Sequence, residues 1–394
     1  MKRNVLQLIG SFHQGGSERQ AAQLTRLLCN NGRYNVRVAC LEKVGVLLNE
    51  VERLNLGEIP EYALTSFYSQ SMVVQLRRFT RFLRENRIDV VQTHDFYTNV
   101  FGMIGARLAH VPVRIAARRE TGGIRTRKQL FVERRAYALA HAIVTNAEAV
   151  KLQLVKEGLR DEKIVTLYNG LDLERLKPSD SSGEEKLNLF GLPTDAPRKF
   201  VTIVANLRYE VKDHSMFLRA AKRVKEHVKD AAFVIAGEGE LIGPMRELAA
   251  NFGIASDTHF IGRCENVAEV LAISHVCVLS SKAEGFSNSI LEYMAASRPV
   301  IATNVGGASE AIIEGETGYL VASGDDETMA ARIVSLLKNP DKAEEMGQRG
   351  RRRVKENFSC EAQLESTLNL YERLLDEHSV EKESSFSIES SEGA

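Results

Sequence analysis

Twelve short apolar runs recur along this 394-residue chain, and most stretches between them carry helical spacing, so strand-like and helix-like segments alternate along it. The runs cover residues 5–9, 36–41, 88–93, 113–117, 142–145, 164–167, 200–205, 232–236, 258–261, 275–279, 300–302 and 319–321. Runs this apolar suit strands buried on both faces, and strand–helix–strand repetition joins parallel neighbours through crossovers. Helices are expected at 17–28, 72–86, 98–109, 129–140 and 146–157, and as three consecutive segments from 325 to about 377. The alternation stops after 167 and restarts at 200, and residues 177–198 mix Pro, Ser, Asp and Gly without a period. The expected fold class is therefore α/β, with two Rossmann-like parallel-sheet domains facing a central cleft. The expected partition is a first domain over 1–172, a linker over 173–198, a second domain over 199–358, a last helix within 359–377 and a tail over 378–394. The tail is rich in Ser and Glu, has little to bury and is expected to be disordered.

Composition narrows the class. A length of 394 residues suits two domains, and a hydrophobic content of 44% is enough to fill their cores. The five cysteines, Cys29, Cys40, Cys264, Cys277 and Cys360, are scattered without a C-x-x-C pair. That spacing argues against a disulfide framework or a zinc site and favours a reducing cytoplasm. The first ten residues carry a basic head, but their apolar run is short and interrupted by Gln7, which reads as a strand and not as a signal peptide. No segment approaches the roughly 20 apolar residues of a membrane span, so a soluble chain is expected. The net charge of zero hides an asymmetry: residues 1–170 balance at +11 and residues 171–394 at −11. A basic first half and an acidic second half suit different partners.

The densest chemistry lies in Glu284-Gly-Phe-Ser-Asn-Ser-Ile-Leu-Glu292, between the runs at 275–279 and 300–302. It opens a helix beyond the carboxyl end of a parallel strand, where open α/β sheets bind ligands. Gly285 permits close backbone approach, the first-turn N–H groups suit phosphate, and Ser287, Asn288 and Ser289 add donors. Glu292, an acceptor-only carboxylate about one turn in, suits a ribose diol. Arg208 and Lys212 follow the run at 200–205 and have the charge and reach of a phosphate clamp. Gly15 and Gly16 sit between the first strand and its helix, a Gly-Gly pair without the full G-x-G-x-x-G fingerprint. His94 follows the run at 88–93, at the strand's carboxyl end, with Asp95 beside it as a helix cap. There is no Asp-x-Asp and no compact His/Cys cluster, so no metal site is expected.

The run from Glu284 to Glu292, with Met294-Ala-Ala296, Pro299-Val300 and Thr303-Asn-Val-Gly-Gly307 after it, resembles the Glu-x7-Glu signature of the family 4 retaining glycosyltransferases of GT-B fold. Gly15-Gly16-Ser17-Glu18 is similar to that family's Gly-Gly-x-Glu loop, which approaches the donor phosphate and the acceptor. The resemblance implies that His94 lies near the anomeric carbon and the donor sugar's hydroxyls, and that Arg208 and Lys212 meet the nucleotide diphosphate. It implies that Glu284, Gly285 and Phe286 hold the donor sugar, Glu292 the ribose, Gly237 and Gly239 the space below the base, and Phe260 and Ile261 the base itself. Thr303 to Gly307 would lie near the phosphates. Two positions depart from the family pattern: Asn206 and Asp213 stand where glycines are usual. Asn tolerates positive φ, and Asp213 can cap the next helix instead.

The resemblance further implies retention of configuration by front-face substitution, no divalent ion for chemistry, and a last helix that crosses back to the first domain, with 362–375 as the candidate. No cofactor is expected beyond the nucleotide-sugar donor, UDP- or GDP-linked, and the acceptor would be a glycan or lipid-linked molecule in polysaccharide or glycoconjugate biosynthesis. The basic first half, with Arg77, Arg81 and Arg84 on one helix face and Arg107, Arg114, Arg118, Arg119, Arg125, Arg127, Arg134 and Arg135 beyond it, would suit an anionic inner membrane face. No nucleic-acid recognition module is present. Two other classes stay open: a GT-B-fold epimerase acting on a UDP-sugar, and a non-catalytic subunit that binds a nucleotide sugar.

Overall fold

The computed structural model describes residues 2–13, 15–64, 70–121 and 125–392, with the side chains of 381–392 excepted. Two compact units emerge: Met1–Gly170 together with Cys360–Ala394, and Leu171–Ser359.

The first unit is built on a six-stranded sheet of β1 (Asn4–Ile9), β2 (Asn35–Cys40), β3 (Val90–Thr93), β4 (Val113–Arg118), β5 (Ala142–Thr145) and β6 (Ile164–Thr166), in the order β2-β1-β3-β4-β5-β6. Every pairing is parallel. Both faces of the sheet are covered. Leu6, Leu8, Val91 and Ile143 join one apolar cluster with Phe79, Phe101 and Tyr137, while Val5, Val90, Ile115 and Val144 join another with Leu24, Leu28, Tyr371 and Leu374. Tyr371 and Leu374 lie on the last helix, Cys360–Glu392, so the end of the chain completes the core that its beginning starts.

The second unit holds β7 (Lys199–Val204), β8 (Ala231–Ala236), β9 (Thr258–Gly262), β10 (Val276–Leu279), β11 (Val300–Thr303) and β12 (Gly318–Val321), in the order β12-β11-β10-β7-β8-β9, again all parallel. In each sheet the strand order reverses at one point, beside β1 and β3 in the first and beside β7 and β10 in the second. At such a point the loops leaving the carboxyl ends diverge to opposite faces and leave a crevice for a ligand.

Two expectations need correction. The stretch 173–198 holds a single helical turn, Leu173–Leu176, and a short helix, Gly183–Leu189. Ser182 and Glu185 close a reciprocal capping box on that helix, and Leu187 and Phe190 pack against Leu192, Phe200 and Val234. These residues belong to the second unit. The last helix also runs on to Glu392, through most of the tail expected to be disordered. Neither Gly nor Pro interrupts residues 360–392, and each added residue costs little once packing has nucleated a helix.

Candidate active site

In the first unit the residues of interest stand at the carboxyl ends of β1 and β3. Gly15 is the N-cap of the helix Gly16–Asn31, with no side-chain bond to its first turn. A Cβ at Gly15 would run into the Glu18 carboxylate, so that carboxylate folds over the loop only because position 15 is bare. Burial raises the Glu18 pKa, and Asp95 adds to the effect, while its backbone bond, His13 and Arg119 oppose it. Asp95 closes a capping box with Thr98 at the start of the helix Phe96–Leu108, the cap expected of it.

His94 is 2% exposed. Its Nε2 lies 2.8 Å from Gln7 Oε1, and its Nδ1 is buried without a hydrogen-bond partner. Burial, reinforced by Arg119, holds the ring well below its usual pKa, so it is neutral near pH 7. A neutral imidazole that donates from Nε2 carries its lone pair on Nδ1. Arg119 donates to Asn169 Oδ1 at 2.8 Å and keeps a buried Nε without a partner. Burial lowers its pKa to about 10 against the pull of Glu120 and Glu18. The sequence pattern marked Arg119 only as one of many basic residues. The reason it stands apart is its place just beyond β4, the strand next to β3.

In the second unit five strand-end loops are tied together at the carboxyl edge. Gly237 N–H donates to Gly262 O at 2.7 Å, and Leu207 N–H donates to Glu238 O at 2.9 Å. A Cβ on Gly237 or Gly239 would collide with the backbone of Ala205 or of Leu207, so both glycines let the loop after β8 lie flat on the loop after β7. Phe260 and Ile261 are half-buried on β9, and the Phe260 ring is covered by Arg246 at 5.3 Å.

Lys212 Nζ donates to Glu284 Oε1 at 2.6 Å, and Ser281 Oγ donates to the same oxygen at 2.6 Å. Ser280, fully buried at the end of β10, donates to the carbonyls of Lys212 and Asp213. In the sequence these two serines simply follow the apolar run at 275–279. Two buried hydroxyls after an apolar run are the signal that could have marked them, because each must find a partner. Asp213 adopts the left-handed conformation, φ 43°, and its carboxylate accepts from Met216 N–H to cap the helix His214–His227. The departure from glycine at this position is thus absorbed by a residue type that visits that region. Asn206 does not use positive φ among the described residues; its side chain accepts from the Arg208 N–H at 3.3 Å. Arg208 reaches the neighbouring loop, where it pairs with Glu238 at 3.0 Å, largely in solvent.

The helix Asn288–Ala295 starts at Ser287, whose side chain makes no capping bond. Gly285 O accepts from Gly307 N–H at 2.7 Å, and Thr303 Oγ1 donates to Ser281 O at 2.6 Å, which lays the loop after β11 on the Glu284–Gly285 turn. Glu292 is 8% exposed and close enough to Cys264 to raise that thiol's pKa, although burial is the larger cause.

Two residues of the motif have partners within the second unit. Ser289 spends its hydroxyl on the Val204 carbonyl, at 2.9 Å, and so ties the helix to β7. Phe286 is buried against Phe358, with ring centroids 5.2 Å apart, so its ring belongs to the core. The basic face is also thinner than expected. Arg118 is buried on Glu157 and beside Glu133, and Arg125 pairs with Glu120 and Glu133.

Residues 185–353 match the model of Glycosyl transferases group 1, and residues 14–175 match that of Glycosyltransferase Family 4. The chain is 32% identical to the N-acetyl-alpha-D-glucosaminyl L-malate synthase of Bacillus anthracis over 57% of its own length and 55% of that protein's. It is 25% identical to the UDP-Gal:alpha-D-GlcNAc-diphosphoundecaprenol alpha-1,3-galactosyltransferase of Escherichia coli, over 65% of this chain and 68% of that one. The chain therefore spans little more than half the length of the first of these relatives. Among solved structures, Anabaena Alr3699/HepE in complex with UDP superposes with a TM-score of 0.82 at 18% identity, over 95% of this chain and 100% of that one. This likeness shows the GT-B fold.

Proposed function

Because the chain belongs to the glycosyltransferases, family 4 in its first half and group 1 in its second, we propose that it moves a sugar from a UDP- or GDP-linked donor to a glycan or lipid-linked acceptor with retention of configuration. One observation carries the reading. At the point where the second sheet's strand order reverses, Ser280 and Ser281 hold Lys212 and Glu284 together, Gly307 ties down the Glu284–Gly285 turn, and the helix Asn288–Ala295 begins three residues further on. That is a preorganised anion site of the kind a leaving diphosphate needs.

As the anomeric bond breaks, positive charge grows on the sugar and negative charge on the diphosphate. Lys212 and the helix amides are held in place to receive the negative charge. Arg208 gives up only a solvent-exposed pair with Glu238 to join them, an exchange costing about 0–1 kcal/mol. Glu284 steadies Lys212 and would orient a sugar hydroxyl, and Glu292 would accept from the ribose. Neutral His94 would accept a hydrogen bond from a hydroxyl of the donor sugar at Nδ1. Relatives support the donor and acceptor classes: Alr3699/HepE was solved with UDP-glucose, and the E. coli relative's name gives a UDP-galactose donor and a lipid diphosphate acceptor.

Incubation with a panel of UDP- and GDP-sugars should release nucleotide in an acceptor-dependent way. Arg208→Ala and Lys212→Ala should each lower turnover by two to three orders of magnitude in a folded protein, roughly the loss seen when one transition-state donor is removed. Epimerised donor without transfer, or tight UDP binding with no turnover on any donor, would replace the reading with one of its two alternatives.

The same reading includes an anionic membrane surface as partner. Among the described residues no helix is long and apolar enough to cross a membrane. The helix Gln70–Glu85 exposes Val73 and Val74 beside Arg77, Arg81 and Arg84, the pairing of apolar and basic groups that suits an interface. Sedimentation with vesicles should rise with anionic lipid content; a flat response would remove this partner.

A further inference from the structure

A chain of buried side chains leads from His94 to the last helix. His94 Nε2 lies 2.8 Å from Gln7 Oε1, Gln7 Nε2 lies 3.0 Å from the Tyr371 hydroxyl, and that hydroxyl bonds Gln92 Oε1. Gln7 and Gln92 face each other in register on β1 and β3. All four side chains are buried, His94 the least so at 2% exposure. Tyr371 stands on Cys360–Glu392, and its ring is wedged edge-on against Tyr34.

Such a chain has two self-consistent polarities. In one, His94 Nε2–H donates to Gln7 Oε1, Gln7 Nε2–H donates to the tyrosine oxygen, and the tyrosine hydroxyl donates to Gln92 Oε1. In the other, both amides are reversed, Gln7 donates to Nε2, and the imidazole proton moves to Nδ1. The amide orientations in the structure match the first. A hydroxyl that must accept from one amide and donate to the other is the element that makes the two amides choose together. Without it, each amide is free to turn alone.

We propose that Tyr371 is a positioning residue for His94: through Gln7 it fixes the Nε2–H tautomer and so keeps the lone pair on Nδ1 as an acceptor. The catalytic use of that lone pair rests on the glycosyltransferase reading above, whereas the tautomer itself does not. The last helix thereby contributes to the first unit's site through a single hydroxyl, beyond its part in the core. The buried, unpartnered Nδ1 agrees with this, since a buried acceptor is left bare at a cost of about 1–3 kcal/mol unless a ligand fills it.

Tyr371→Phe tests the assignment, because it keeps the ring against Tyr34 and removes only the oxygen. In nitrogen-15 histidine spectra, with the His94 signal assigned by a His94→Gln variant, the wild-type ring should show a proton on Nε2 only. The Phe variant should show a mixture of tautomers. On whichever donor sugar proves active, kcat should fall roughly ten- to a hundredfold, as when an outer hydrogen-bond partner of a functional histidine is lost, with the donor KM within about twofold. Tyr371→Leu should lower thermal stability as well but lower kcat no further. A wild-type ring protonated on Nδ1, or a Phe variant with unchanged spectra and kcat, would overturn the proposal. Absence of any transferase activity in the wild type would sink the functional reading and leave the spectral test standing.

Discussion

Arg118 carries more of the first unit's stability than its place among many arginines suggests. Its guanidinium is 2% exposed, bonds Glu157 at 2.8 Å and lies 3.7 Å from Glu133, which is itself buried. Burial raises the Glu133 pKa against the pull of Arg125 and Arg118, so its charge is kept only by its partners. Removing one member of a buried set strands the others. Arg118→Met is therefore expected to cost about 3–5 kcal/mol in urea unfolding, and Arg118→Met with Glu133→Gln about half of that. A single variant within about 0.5 kcal/mol of wild type would show that water already solvates this cluster. Nothing in the sequence separates Arg118 from Arg119 or Arg114, because the alternation along a strand buried on both faces gives no inside and outside to read.

At the scale of elements, the loop after β11 is held by one glycine. Gly306 has φ 55°, and a Cβ there would strike the Glu284 carbonyl. Gly315 has a similar φ, 76°, with open space around its missing side chain. Both Ala variants carry backbone strain of about 1–3 kcal/mol, but only Gly306→Ala also pushes Glu284 and Gly285 out of place. Calorimetry should find UDP binding weakened at least about tenfold, about 1.4 kcal/mol, in Gly306→Ala and unchanged in Gly315→Ala. Equal losses in both would mean that strain alone matters. The same contrast shows what the sequence could reveal. All twelve strands were legible, because parallel strands buried on both faces must be short apolar runs, and the loops that follow them locate the site's edge. The helix Leu48–Glu52 was not legible, being too short for a period to register. Nor were the fates of Phe286 and Ser289 within the motif, since spacing places a residue on a loop or helix but does not say which neighbour takes its side chain. Phe358, which buries Phe286, is 72 residues away.

For the whole molecule, acid should separate the two units. In the second unit, burial lowers the pKa of His214 to about 4 from 6.5, and burial also lowers His259 and His275. A histidine kept neutral by folding gives stability that is fully present above its unfolded pKa of about 6.5 and is lost as pH falls toward the folded value. For His214, 3% exposed and faced by Lys212, Asp213 and the Ala205 carbonyl, the loss amounts to about 3 kcal/mol by pH 4. Asp325 and Asp326 have lowered pKa values and add a further loss below their usual range. The first unit also holds neutral histidines, His94 and His141, but burial there raises Glu18, Asp95 and Glu133. A carboxyl with a raised folded pKa binds its proton more readily when folded, so it returns stability as pH falls through that value toward the unfolded one. The two signs oppose each other in the first unit and reinforce each other in the second. Hydrogen exchange followed by mass spectrometry from pH 7.5 to 5, corrected for intrinsic rates, should therefore show protection falling in residues 199–321 before it falls in 4–166. His214→Gln should shrink the gap by flattening the second unit's pH slope by up to about 1.4 kcal/mol per pH unit, one proton's worth. Loss of protection in the first unit at the higher pH would mean that folding does not raise the pKa values of its buried carboxyls, and the proposed balance of charges would fail.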